Sequence, residues 1–179
     1  MCGNSNARIV RHGFTMIELM VVMAILAVMA AIVVPMASSA GTMQLRAALN
    51  VLAADLEYAK SLSISTGQRH VVVFEKSGGV YTQYRIVVLD QAGNENPVHH
   101  PLTQKPNYIV SFQTDSRLSQ VQIAGVNLNG LDKVGFNSLG SPLDANGSDL
   151  NVGEISLRAG STTRKVNVAP VTGFITISN

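Results

Sequence analysis

Residues 19–37 (LMVVMAILAVMAAIVVPMA) form a run of nineteen without a charge or a hydrogen-bonding side chain. As a helix at 1.5 Å per residue the run spans roughly 28 Å, close to the hydrocarbon thickness of a bilayer. It has no polar face, so it does not fit the surface of a globular core. No charge occurs until Arg46, whereas Arg8, Arg11 and His12 precede the run. By the positive-inside rule this places the N-terminus in the cytoplasm and the rest of the chain across the membrane. Glu18 stands at the edge of the run. Carried alone to a membrane centre, a carboxylate costs about 2.5–3.5 kcal/mol. An ordinary secretory signal gains nothing from such a residue, although Ser38-Ser39-Ala40 leaves signal cleavage open as an alternative.

Composition limits the remaining choices. Hydrophobic residues make up 46% of the 179 and charged residues 13%, the opposite of a disordered chain. Lys plus Arg is 13 against 11 for Asp plus Glu, so no basic surplus exists to grip phosphates. A single cysteine, Cys2, excludes an internal disulfide. No apolar region precedes Cys2, which argues against a lipoprotein anchor.

Beyond the run, Leu45, Leu49, Leu52, Leu56, Ala59 and Leu62 recur at three- and four-residue steps. This predicts an amphipathic helix over 41–67, with Arg46, Asn50, Asp55, Glu57 and Lys60 on its other faces and Gly67 as the stop. Pro35, followed by Ser38, Ser39 and Gly41, is a candidate soft point in one long helix from Phe14 to Thr66. The rest reads as short strands and turns. Residues 69–75 and 81–90 are strands joined by the turn 76–79. Further strands are expected at 108–113, 133–137, 153–158, 164–169 and 173–178. The fold class is α+β: a long N-terminal helix, half transmembrane and half amphipathic, packed on a C-terminal antiparallel sheet.

The junction Arg11-His12-Gly13-Phe14-Thr15-Met16-Ile17-Glu18-Leu19 resembles the leader of type IV prepilins and pseudopilins. The resemblance implies cleavage by prepilin peptidase between Gly13 and Phe14 and N-methylation of Phe14. Glu18 becomes the fifth mature residue and Pro35 the twenty-second. It implies that Glu18 of one subunit pairs with the Phe14 amine of a neighbour, so that two charges costly alone in an apolar bundle offset each other. The later segments, VGFNSLG at 134–140 and the hairpin at 165–177, are similar to the GspH/FimT group of minor pseudopilins and minor pilins. Four parts are expected: a leader at 1–13, a transmembrane and assembly helix at 14–40, the amphipathic helix at 41–67, and a periplasmic β-rich domain at 68–179.

The expected function is a minor pseudopilin of type II secretion. It is a non-enzymatic filament subunit, first single-pass in the bacterial inner membrane and then in the filament. The alternatives are a minor type IV pilin, serving pilus assembly or DNA uptake, and a secreted β-rich binding module with an ordinary signal. The expected partners are the peptidase, other pilins or pseudopilins, and membrane lipid. Neither a cofactor nor a metal nor a small-molecule substrate is expected. Nucleic acid is not expected either. In some FimT-type relatives arginines follow the glycine of the last hairpin, but here Phe174 and Thr176 stand in those places.

Two weaker signals are set aside. The stretch 144–149 (DANGSD) has the oxygen ligands of half a calcium loop but no downstream glutamate, so it reads as an Asn-Gly turn. His99-His100, between Pro97 and Pro101, reads as an exposed loop because adjacent strand residues do not converge on one metal.

Overall fold

The computed structural model describes residues 14–101 and 103–178, with the backbone alone for 32–39. The leader, including Gly13, and the side chain of Pro35 lie outside the described residues. Helix α1 runs Met16–Thr66, starting two residues later than expected because Phe14 and Thr15 are not helical. The chain divides into two compact units, Met1–Ser39 and Ala40–Asn179.

In the second unit, α1 ends where the period predicts. Gly67 takes φ +69° and its N–H donates to the Ser63 carbonyl at 3.0 Å, a left-handed stop that a side chain would strain. Among the described residues ten strands follow: β1 His70–Ser77, β2 Val80–Leu89, β3 Glu95–Pro97, β4 Tyr108–Val110, β5 Val121–Leu128, β6 Lys133–Phe136, β7 Pro142–Asp144, β8 Gly153–Ala159, β9 Thr162–Val168 and β10 Ile175–Ser178. They form one antiparallel sheet in the order β10-β9-β8-β5-β2-β1-β6-β7, with β3 and β4 both paired to β2. β5 lies in the stretch where the sequence signals no strand, yet it joins the C-terminal strands to the β1–β2 hairpin.

Alternation along the strands decides where the core sits. Val72 and Phe74 belong to the main core with Leu45, Leu49, Leu52, Leu56 and Ala59 of α1. Each of these leucines is fully or almost fully buried and contributes about 1.5–3 kcal/mol. Val71 and Val73 point to the other face, where they cluster with Val87. That face also carries an ion network: Arg85 bridges Glu75 and Glu95, and Lys133 bonds Glu95 at 2.6 Å.

One expectation is corrected: Asp55 does not sit on a solvent face but is 8% exposed, inside the core. His99 and His100 lie in a loop as expected, His99 exposed and His100 half-buried with its ring stacked on Tyr108 at 4.4 Å.

Candidate functional site: the capped start of the N-terminal helix

The chemistry at the start of α1 comes from four residues, Thr15-Met16-Ile17-Glu18. The Glu18 N–H donates to Thr15 Oγ1 at 3.2 Å, and the Thr15 N–H donates to Glu18 Oε2 at 3.4 Å. This is a reciprocal capping box, with Thr15 as cap and Glu18 in the first turn. The Leu19 N–H closes the first helical turn on the Thr15 carbonyl at 3.1 Å. The carboxylate also lies at the positive end of the helix dipole, where a negative charge gains about 0.3–1 kcal/mol. The motif is visible in the sequence as Thr-x-x-Glu before an apolar run.

Glu18 is thus fixed one peptide unit from the backbone nitrogen of Phe14. The side chains that follow are open: Phe14 is 79% exposed, Met16 82% and Ile17 72%, and Met20, Met23 and Leu26 are also exposed. Among the described residues, no helix is long and apolar enough to cross a membrane.

The other polar groups are structural in geometry. The Asp144 carboxylate accepts from the N–H groups of Asn146 and Ser148 at 2.8 and 3.0 Å, and from Asn129 Nδ2 at 3.1 Å. The Asn129 bond is the largest influence holding its carboxyl below the usual range. Its oxygens therefore organise the 144–149 turn. Among the described residues, no group of three or more His, Cys, Asp and Glu could hold a metal ion.

A second polar cluster, missed from sequence, centres on Asp55. Tyr84 donates to Oδ2 at 2.6 Å and Tyr108 to Oδ1 at 2.8 Å. Burial raises the Asp55 carboxyl above its ordinary value, and the two tyrosine bonds oppose that rise. The Tyr84 hydroxyl is pushed well up, first by burial and then by the facing carboxylate. The cluster ties the C-terminal part of α1 to β2 and β4.

Residues 9–34 match the family described as the prokaryotic N-terminal methylation motif. The matched stretch contains Gly13, Phe14 and Glu18. Behind the matched motif, a helix packed on one antiparallel sheet gives the α+β layout expected from the sequence. Among solved structures it is similar to the type IV minor pilin FimU of Pseudomonas aeruginosa PAO1 in two crystal forms. The P21 form is 16% identical, covering 75% of this chain and 88% of that one at a TM-score of 0.49. The P65 form is 15% identical, covering 75% and 93% at a TM-score of 0.48. Similarity this distant carries nothing about function. No curated protein matches the chain significantly.

Proposed function

We propose that this chain is a minor pseudopilin of the GspH/FimT kind, a structural subunit of the type II secretion filament. The reading rests on the capped Thr15–Glu18 turn inside the methylation motif, followed by exposed apolar side chains. Prepilin peptidase cuts between Gly13 and Phe14, and Phe14 is N-methylated. The apolar part of α1 then remains as a single-pass anchor in the inner membrane, with the Ala40–Asn179 unit in the periplasm.

The cap gives Glu18 its role. Thr15 engages Oε2, which orients the carboxylate and leaves Oε1 for an ammonium. A lone carboxylate in lipid is costly, and so is a lone ammonium, so each favours the register in which Phe14 of one subunit meets Glu18 of the next. Pro35, which offers no N–H to the helix, is the proposed soft point between anchor and head.

Deleting the gene tests the assignment. A type II subunit predicts loss of secreted hydrolases from the medium with surface pili intact. Loss of pili with normal secretion replaces it with the minor type IV pilin reading.

A further inference from the structure

Asparagine is followed by glycine twice in the chain, at Asn129-Gly130 and Asn146-Gly147. Asparagine is thermolabile, and a glycine after it leaves the next backbone nitrogen unhindered for attack on the side-chain amide carbon. The two pairs stand in opposite surroundings.

Asn129 is half-buried and its amide is fully engaged. Nδ2 donates to Asp144 Oδ2 at 3.1 Å and to the Asp149 carbonyl at 3.0 Å. Oδ1 accepts from the N–H groups of Asn151 and Val152 at 2.9 and 3.0 Å. Two donors and two lone pairs are the whole capacity of the group, so the side chain is pinned. The Gly130 N–H is held as well, by Asn127 Oδ1 at 3.0 Å. Asn146, in contrast, is exposed, and its amide makes no hydrogen bond to the described residues. Only its backbone N–H is held, by Asp144 Oδ1 at 2.8 Å. One bond restrains the nucleophile: the Gly147 N–H donates to the Asp144 carbonyl at 3.1 Å.

We propose that Asn146 is a site of spontaneous deamidation and that the fold protects Asn129 from the same reaction. The Gly147 nitrogen gives its proton to hydroxide and attacks Asn146 Cγ. The new N–Cγ bond closes a five-membered succinimide as the Cγ–Nδ2 bond breaks, and Nδ2 takes a proton from water and leaves as ammonia. Water then opens the ring at either carbonyl, giving aspartate or isoaspartate, with no oxidant or reductant involved. Each hydrogen bond that must open first slows the reaction about two- to tenfold. Four side-chain bonds at Asn129 against none at Asn146 therefore separate the two rates by at least about tenfold. Either product sets a new carboxylate in the turn with Asp144 and Asp149. The isoaspartyl product also lengthens the backbone inside the ring that the Gly147–Asp144 bond closes.

Ageing the full chain in detergent micelles in mildly alkaline buffer, followed by peptide mapping with mass spectrometry, tests this. A parallel sample is aged in urea strong enough to unfold the chain. In the folded sample residue 146 converts from amide to acid at least about tenfold faster than residue 129, and aspartyl and isoaspartyl peptides both appear. In urea the two pairs convert at similar rates, because the bonds that pin Asn129 are gone. Equal conversion at 129 and 146 in the folded chain overturns the proposal. So does an Asn146 that stays intact when folded but converts in urea, aspartate as the sole product, or a difference between the two sites that persists unchanged in urea.

Discussion

Replacing Asp55 by alanine removes the acceptor shared by Tyr84 and Tyr108. Tyr84 is fully buried and Tyr108 is 5% exposed, so water cannot replace the lost acceptor without opening the core. Leaving a buried hydroxyl unpaired costs about 1–3 kcal/mol, and two are left here. Removing a buried carboxylate returns part of that, so the expected net loss is about 2–4 kcal/mol. Asp55→Asn keeps an acceptor for one tyrosine and offers the other an N–H, and loses about 1 kcal/mol. The assay is urea unfolding of residues 40–179, which hold the whole main core, followed by circular dichroism with the m-value as a check. Tyr84→Phe combined with Asp55→Ala falls short of additivity, because both changes remove the same bond. The pH dependence has a definite sign. Asp55 has a raised carboxyl in the fold, mainly through burial, so folding favours its protonated form. Its contribution is fully present below the unfolded value of about 4 and is lost as pH rises through the raised value. The wild type therefore loses stability relative to Asp55→Asn over that window, and the difference is flat above it. An Asp55→Ala variant within about 0.5 kcal/mol of the wild type, the range of neutral surface changes, refutes the reasoning.

Two further outcomes follow from other sites. The carboxyl of Glu95 is held below its usual range, first by the Lys133 bond and also by Arg85, so it stabilises the fold above about pH 4 and that contribution is lost as pH falls through the lowered value. Acid unfolding of Glu95→Gln should lack this component, and an unchanged acid transition contradicts it. Glu18→Val keeps the Gly13–Phe14 bond and should still be processed, but should enter filaments poorly; normal incorporation shows that the charge pairing is not needed.

The parts of the fold legible in the sequence are those with an unbroken period. The leucine steps from Leu45 to Leu56 place α1 on the sheet, and β1, β2, β6, β8, β9 and β10 fall within a few residues of expectation. β5 was hidden because its register shifts between Ile123 and Gly125, which puts Val121 and Ile123 out of step with Val126 and Leu128. β3 and β7 are three residues each, too short to show alternation. The expected strand at 108–113 shrinks to Tyr108–Val110 because the chain turns away after three pairings with β2. Asp55 looked like a surface residue because its tyrosine partners are 29 and 53 positions away, a distance no local pattern spans. At the candidate site the residues were legible and the geometry was not. Glu18 stands out by its cost in an apolar run and Thr15 by its spacing from it, while the two reciprocal bonds that aim the carboxylate appear only with the backbone in place.

The central claim concerns one bond. Mass spectrometry of the chain purified from the cell envelope reads it directly. The account predicts a mature N-terminus at N-methylated Phe14, with residues 1–13 and hence Cys2 absent. An intact leader, or an N-terminus at Gly41 left by cleavage after Ser38-Ser39-Ala40, would contradict it.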